Sequence, residues 1–531
     1  MTRIQVLEKQ NRDFRTRLEN QRVKAELTTA AYQEKILALK EQLGTLPAQV
    51  VMLQESLAKC EEAIAGQKAE IVSLRKEKTK LENTVEKLKL AIVKLRARLR
   101  KDSTTSDVPP SNNVYKKPRT RSMREKSGRK PGGQFGHAGH TLPLFPDPDH
   151  IEKKVPESCG SCGSHNLVLT GEYTAKQKVD IEVNINTTEE QSLEAVCIDC
   201  GKTTCGEFSE GFSSPVHYGE NLKAIVALLT EHGFVSIAKT AEIISSLTGG
   251  AINLSWGTIV NMQKELSLKL EETISIILAA LIAGKVMGAD ETGCRVNGKL
   301  NWIQVFCNEG FTLFGLNEKR GDIDENYGLL AYFVGILVHD HFMSYYKYET
   351  LTHAECNQHI LRLLKGLIEI FRHSWLLEMM NLLKSACHEK NELVRSGATE
   401  MPPEQIDEFS ARYDALLKKG WHEYNADTAG DKNKESYHTE ERRLLTRLGE
   451  YKEEHLLFLK DFNAPFTNNV SEQDIRKFKS KQKASGCFRS EEGARVYARI
   501  ASLITTLKKQ SRNVFEGIRA VYTGGVPISS A

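Results

Sequence analysis

Four short apolar runs follow one another between Lys285 and Phe342: KVMGADE, LNWIQVFC, FTLFGL and GILVHDHF. Their length, their β-branched and aromatic content and the turn residues between them read as strands. A short helix is expected near 327–333, between the third strand and the fourth. The first and fourth runs each end in a carboxylate, Asp290 in GKVMGADET and Asp340 in VGILVHDHF. A third acid, Glu472, sits in FTNNVSEQDIR, at the start of an expected helix and just before the basic stretch KFKSKQKASGCFRS. Two carboxylates at strand ends plus one on a helix make an oxygen-only site of the kind magnesium prefers. Basic residues nearby suit a nucleic-acid backbone. Acids often end strands, so the three together carry the argument.

The third acid has rivals. With Asn469 as helix cap, Glu472 occupies the capping-box position, where it would bond back to the backbone. Asp474 is an alternative ligand. Two residues along a helix are about 200° apart, so Glu472 and Asp474 cannot both face the sheet. Their positions relative to Ile475 and Phe478 leave both open.

At 531 residues the chain should hold several domains. Lys and Arg (73) nearly balance Asp and Glu (69), so the distribution of charge says more than its total. The N-terminus is polar and charged, and the longest apolar run, Ile276 to Ala283, is far too short to span a bilayer. The expected setting is cytoplasmic. Eleven cysteines, scattered except for one cluster, argue for a reducing compartment with thiols and metal ligands.

From Leu53 to Leu99 a heptad register holds without a slip. One seam reads Leu57, Ile64, Ile71, Lys78, Val85, Ile92 and Leu99; the other reads Leu53, Cys60, Gln67, Leu74, Leu81, Leu88 and Leu95. This pattern predicts a left-handed coiled coil, with a parallel dimer favoured. Pro47 separates it from an earlier helix around Ile4 to Leu43. Residues 1–101 are therefore read as a dimerisation region and 102–149 as a basic flexible linker. Its stretch YKKPRTRSMREKSGRK offers Lys116, Lys117, Arg119 and Arg121 to phosphates. His137 and His140 in GGQFGHAGH are assigned to no metal.

Within residues 150–212, Cys159 and Cys162 form CGSC, and Cys197 and Cys200 form CIDC. Each two-residue spacing lets a turn point two thiolates at one tetrahedral metal, so a structural zinc ribbon is expected. Cys205 and His165 are spare ligands. The intervening segment alternates apolar and polar residues, as short strands do. Residues 216–272 have helical spacing, divided by the Gly249–Gly250 turn and a Ser255 cap. Helix, turn and helix in this order could place the helix from Ser255 in a major groove.

Three consecutive strands, a short helix and a fourth strand give the order of a ribonuclease H-like sheet, whose first and fourth strands are adjacent. Asp290 and Asp340 would then converge. The expected fold class is multidomain α+β: coiled coil, zinc ribbon, helical DNA-binding module, and a ribonuclease H-like catalytic domain over 283–500. A C-terminal helix and tail would follow over 501–531. His339 and His341 flank Asp340 and alternate away from its side of the strand. Cys356 and His359 in CNQH are too few for a metal and read as a structural pair.

With these residues the chain resembles the transposases of the bacterial insertion-sequence 66 family. The resemblance covers nearly the whole chain: the coiled-coil start, SGRKPGGQFGHAGHTL, the paired CxxC, ADET, HDHF, CNQH and FTNNVSEQDIRKFKSKQKASGCFRS. The last block is long and specific. The resemblance implies an Asp-Asp-Glu site in which Asp290 matches the first acid, Asp340 the second and Glu472 the third, which favours Glu472 over Asp474. It also implies a helical insertion, about 361–459, and small accessory proteins encoded beside the transposase. Two magnesium (or manganese) ions on the three acids would serve end cleavage and strand transfer. Arg476, Lys477, Lys479, Lys481, Lys483 and Arg489 are the expected phosphate contacts. The partners would be the element's terminal inverted repeats and target DNA, in a bacterial, nucleoid-associated setting. Two other readings fit the same residues: a nuclease of this fold that resolves branched DNA without joining, and a non-enzymatic zinc-containing DNA-binding regulator.

Overall fold

The computed structural model describes residues 3–44, 73, 75–82, 84–85, 136–137, 139, 141–209, 211–212, 214–429 and 432–529. In chain order these form α1 (Arg3–Gly44), β1 (Glu194–Val196) and β2 (Thr203–Cys205). There follow α2 (Glu220–Ala227), a π turn (Leu228–His232), α3 (Ile237–Leu247), α4 (Trp256–Lys269) and α5 (Glu271–Ile282). The main strands are β3 (Val286–Val296), β4 (Lys299–Cys307), β5 (Thr312–Asn317), β6 (Ile336–His339) and β7 (Thr352–Glu355). Six helices come next: α6 (Asn357–Ile368), α7 (Ser374–Arg395), α8 (Pro403–Thr428), α9 (Lys432–Tyr437), α10 (Thr439–Glu450) and α11 (Lys452–Lys460). The chain closes with α12 (Asn469–Ser485), α13 (Glu491–Lys509) and α14 (Val514–Tyr522). It divides into two compact units, Met1–Asn112 with Asn357–Phe462, and Asn113–Cys356 with Asn463–Ala531.

The second unit is built on a five-stranded sheet of order β5-β4-β3-β6-β7. The first three strands pair antiparallel; β6 runs parallel to β3, and β7 parallel to β6. Thus the first and fourth strands of the sequence are neighbours. Strand β3 is longer than its apolar run. The Asn297–Gly298 turn, with both φ positive, folds it back onto β4 in the two-residue hairpin that such angles favour. Asp290 therefore lies inside a strand rather than at its end, whereas Asp340 follows β6 directly. The expected short helix is a 3₁₀ turn, Leu329–Ala331.

Alternation along β3 divides two cores. Met287 and Ala289 join Leu337, Leu281, Leu503 and Ile518 on one face. Cys294 and Val296 join Val305, Phe314, Ile475, Phe478 and Tyr497 on the other, under α12 and α13. Strand β5 lies at the sheet edge, where unpaired backbone groups need cover. Helix α13 supplies it: the Thr506 hydroxyl accepts from Thr312 N–H at 3.1 Å and the Ser502 hydroxyl from Phe314 N–H at 2.9 Å. The boundary expected at 500 falls inside this buried helix.

Helices α2 to α4 enclose their own small core of Val226, Ile244, Leu254, Ile259 and Met262. Ser255 caps α4 by accepting from Thr258 N–H at 3.0 Å, and Gly249 and Gly250 take positive φ in the turn before it. In the first unit, α7, α8 and α10 bury Trp375, Tyr413 and Leu445. These helices fill the region expected to be a helical insertion. Helix α1 is exposed along most of its described length. Of the heptads, residues 73, 75–82, 84 and 85 are helical; the rest of that register, and the linker up to 135, lie outside the described residues.

The segment between the cysteine pairs departs from expectation. Apart from β1, which pairs with β2 beyond the second cysteine pair, it carries no strand, and its side chains are almost all exposed. Alternating apolar residues such as Val179, Ile181 and Val183 are exposed, with no second layer among the described residues to bury against, and half-buried strands need one.

Helix α12 approaches β3 closely at one glycine. A Cβ at Gly288 would lie 2.2 Å from Ser471 Oγ and 2.7 Å from Asn468 Oδ1. Gly288→Ala should therefore lower the stability of the folded chain by about 1–3 kcal/mol in urea denaturation. Gly310→Ala, where a Cβ would meet Asn308 Oδ1 at an ordinary 3.9 Å, should stay within about 0.5 kcal/mol of the wild type.

Candidate active site

The parallel register pairs Val286 with Ile336, Met287 with Leu337 and Gly288 with Val338. Carried two residues further, it sets Asp340 beside Asp290. Asp290 shares its face of β3 with Gly288, two residues earlier. That is the face on which the first turn of α12 sits. Asn468 Nδ2 donates to Ala289 O at 2.7 Å, and Ser471 Oγ donates to Asn468 Oδ1, also at 2.7 Å. Ser471 Oγ also lies 3.2 Å from Cys307 Sγ. These bonds fix the start of α12 against the strand that carries Asp290. Glu472 is buried, in the first turn of that helix.

The helix cap differs from expectation by one residue. Asn468, not Asn469, is the N-cap, and its side chain reaches the sheet instead of capping. Glu472 is thereby moved out of the capping-box position. Its Oε2 accepts from Arg476 Nη2 at 3.0 Å, one turn along. Asp474 points elsewhere, as the helical geometry requires. Its carboxylate accepts from Thr312 Oγ1 at 2.7 Å and pairs with Lys509 at 2.7 Å and Lys477 at 3.0 Å. Burial alone would raise Asp474, but Lys509, Lys477 and their hydrogen bonds outweigh it and hold the carboxyl below its usual range.

A second acidic group supports the first from the opposite face. Glu291, next to Asp290, points to the other side of β3. It accepts from Arg320 Nε and from Tyr345 Oη, each at 2.8 Å. The same guanidinium lies 3.8 Å from Asp340 Oδ2 and stacks on the ring of Phe342, 4.1 Å away. Burial and the charge of Asp340 push Glu291 up to about 7, against the pull of Arg320. Phe342 N–H donates to Asp340 Oδ1 at 3.0 Å, fixing the loop that bears it. Sequence reasoning missed Glu291, Arg320 and Tyr345. Glu291 could have been found, since alternation buries any residue beside a strand acid that faces out. Arg320 has no local signal.

His339 is buried, stacks on Tyr345 at 4.8 Å and meets His353 Nδ1 at 2.9 Å; burial pushes it down to about 4, leaving it neutral. His341 bonds to Glu355. Both are packing residues, as alternation predicts. Cys356 Sγ accepts from Asn468 N–H at 3.2 Å.

The basic residues of α12 divide. Lys477 is engaged with Asp474 and Thr505. Lys479 donates to Gly293 O at 2.5 Å, and burial lowers it to about 8. Lys481 donates to Thr230 O at 2.7 Å and lies over the Tyr497 ring. These three turn inward: each meets the sheet or the helices packed around it. Arg476, Lys483 and Arg489 remain exposed. Lys116, Lys117, Arg119 and Arg121 lie outside the described residues.

Each cysteine pair forms the same turn. Gly163 N–H donates to Cys159 O and Gly201 N–H to Cys197 O, both at 2.8 Å and both with glycine at positive φ. Backbone N–H groups of Ser161 and Cys162 and the Cys162 thiol lower Cys159, and the matching groups at Cys200 and Asp199 lower Cys197. The two pairs are not among the described groups of three or more ligands whose donor atoms lie within 4.8 Å of one another. His165 Nδ1 is bonded to Glu157 O at 2.8 Å, and Cys205 lies on β2. His140 is outside the described residues.

These elements form a mixed α/β domain, with Asp290 and Asp340 aligned on adjacent parallel strands of its sheet and Glu472 on the helix fastened to it. The family model described as "Transposase IS66 family" matches residues 216–496, from the helices before the sheet into α13. The chain belongs to that family, whose activity is transposition and whose partner is DNA. A second model, a family of unknown function (DUF6444), matches residues 15–143. Among curated proteins none matches the chain. No helix of the described residues is long and apolar enough to cross a membrane.

The two acids of α12 should separate in their effects. Asp474→Ala removes the carboxylate paired with the largely buried Lys509 ammonium, leaving it the Asn308 and Phe311 carbonyls, and should cost about 3–5 kcal/mol in chemical denaturation. Glu472→Gln removes one exposed-arginine pair and should change stability by no more than about 1 kcal/mol.

Proposed function

We propose that the chain is an Asp-Asp-Glu transposase on a ribonuclease H-like fold, in which Asp290, Asp340 and Glu472 form the catalytic site. The sheet order, with the first strand beside the fourth, supports that fold. The observation that carries the site is the shared face: the parallel register aligns Asp340 with Asp290, and α12 is fastened to the same face of β3 at Gly288 and Ala289.

The donor set fits two divalent ions of the hard, oxygen-seeking kind. It is carboxylate throughout, and Arg476 and Arg320 already sit against Glu472 and Asp340, as an acidic centre demands. Magnesium, or manganese, bound by Asp290, Asp340 and Glu472 would supply Lewis acidity toward a phosphate and its attacking oxygen. The chain's own residues do the positioning. Glu291, Arg320 and Tyr345 brace the carboxylates from behind, and Asn468 and Ser471 hold Glu472 at its distance from β3. Arg476, Lys483 and Arg489 give the DNA backbone exposed cations beside the site. Both reactions are phosphoryl transfers. In the first, water attacks the phosphorus at the element's end and the bond to the 3′ oxygen breaks; in the second, that freed 3′-hydroxyl attacks target DNA and displaces a target 3′ oxygen.

The remaining parts follow the same reading. The matching turns at Cys159–Cys162 and Cys197–Cys200 support a structural zinc ribbon, and the heptads from Leu53 to Leu99 support a homodimer. The α2–α4 helices offer a helix-turn-helix-like contact to DNA, with small companion proteins from the same element as further partners.

Purified wild-type chain with magnesium should cleave and join DNA carrying the element's terminal repeats. Asp290→Asn, Asp340→Asn and Glu472→Gln should each lower both steps by at least about 10³-fold while DNA binding in a mobility-shift assay is retained. Undiminished joining by Asp290→Asn would overturn the assignment. Cleavage of branched substrates without any joining would favour a nuclease instead.

A further inference from the structure

The helical unit holds a second group of metal-ligating side chains, independent of the three carboxylates. His373 immediately precedes α7, Asp427 lies in the last turn of α8, and His438 and Glu441 stand at the start of α10. Glu441 is fully buried at its centre. Its Oε1 accepts from His373 Nδ1 at 2.6 Å and from Trp375 Nε1 at 2.8 Å, and its Oε2 from His438 Nδ1 at 2.7 Å. A carboxylate oxygen within hydrogen-bond distance of a ring nitrogen accepts from it, so both imidazoles turn an Nδ1–H toward Glu441.

That leaves both Nε2 atoms facing away from Glu441, and both meet the same atom. Asp427 Oδ2 is 3.0 Å from His438 Nε2 and 3.7 Å from His373 Nε2. Two imidazole lone pairs against a carboxylate repel unless a cation lies among them. A proton on His438 would serve one contact; the 3.7 Å contact is beyond hydrogen-bond range. One metal ion serves all three. Bonds of about 2.0–2.2 Å in a tetrahedral shell set ligand atoms roughly 3.3–3.5 Å apart, between the two observed spacings. The rings are already oriented: Phe371 stacks on His438 at 4.1 Å and on His373 at 5.9 Å. Lys434 approaches the other oxygen of Asp427 at 3.5 Å, and Tyr437 meets His438 edge-on at 5.3 Å. The Asp427 side chain is 45% exposed, which leaves a route from solvent and room for a water ligand.

We propose that His373, His438 and Asp427 bind a divalent ion of the zinc class through two imidazole Nε2 atoms and one carboxylate, with buried Glu441 orienting both imidazoles from behind. Imidazole with carboxylate suits zinc and its neighbours better than magnesium. A buried carboxylate behind a ligating histidine is the arrangement that fixes the ring and strengthens the ligand. The ion would clasp α7, α8 and α10 at their ends.

Full-length chain stripped with a chelator and titrated with zinc or cobalt(II) tests this, with bound ions counted by elemental analysis. The wild type should hold one ion per chain more than Asp427→Asn or His438→Gln, with the cysteine pairs and the carboxylate trio as a constant background. Glu441→Gln should keep the added ion but bind it about 10–100-fold more weakly. Asp427 is half-exposed, so circular dichroism of Asp427→Asn should match the wild type and keep the comparison decisive should His438→Gln misfold. Equal ion counts and affinities in wild type and folded Asp427→Asn would overturn the site and leave a hydrogen-bonded structural cluster.

Discussion

The contact between the first turn of α12 and β3 governs the arrangement of the sheet domain. Gly288 is required there because Ser471 Oγ and Asn468 Oδ1 occupy the space a side chain would take. The close approach lets Asn468 reach the Ala289 carbonyl, so a buried polar group on each side is satisfied by the other. Glu472 stands one residue beyond Ser471, and Asp290 one residue beyond Ala289. The helix start and the strand are joined by short, buried side chains, Asn468 and Ser471, rather than by long flexible ones. A site that must hold reacting groups within a fraction of an ångström needs that kind of support.

Helix α12 uses its faces for different purposes. Ile475 and Phe478 enter the core, where Phe478 packs on Phe314, centroid to centroid 4.9 Å, and on Tyr497 at 4.7 Å. Asp474, Lys477 and Lys509 form a buried ion cluster beside β5. Such a cluster adds little net stability but penalises other rotations of the helix, because any of them strands a buried charge.

Much of this was legible in the sequence because it is local. The strand runs and the Gly249–Gly250 turn follow from periodicity and turn chemistry, and the helical insertion expected at about 361–459 followed from the family resemblance. Asp290 and Asp340 could be paired because strand order in a parallel crossover is constrained. What was missed is non-local. Strand β7, THAE, is too short and polar to stand out, and exists because β6 offers it an edge. The inward turn of Lys477, Lys479 and Lys481 depends on β3, β5 and the π turn, hundreds of residues away along the chain in the case of Thr230. A run of lysines reads as a solvated face, and no periodicity distinguishes a lysine that will meet a buried carbonyl. The strands expected between the cysteine pairs failed for the opposite reason: the alternation is present, but among the described residues no facing layer covers it.

The placement of the helical segment within the chain follows from the same contact. It departs after Cys356, at the end of β7, and the chain returns to the sheet domain at Asn463, just ahead of the Asn468 cap. Cys356 Sγ accepts the Asn468 N–H, so the points of departure and return are joined by a hydrogen bond. Cys356 N–H in turn donates to His339 O at 2.9 Å, one residue before Asp340. The sheet domain is therefore closed without the segment, and a long insertion there costs little loop entropy because its ends are already together. That junction lies one residue from Asp340 on one side and four residues from Glu472 on the other. An insertion at this position leaves the strand register and the α12 contact intact.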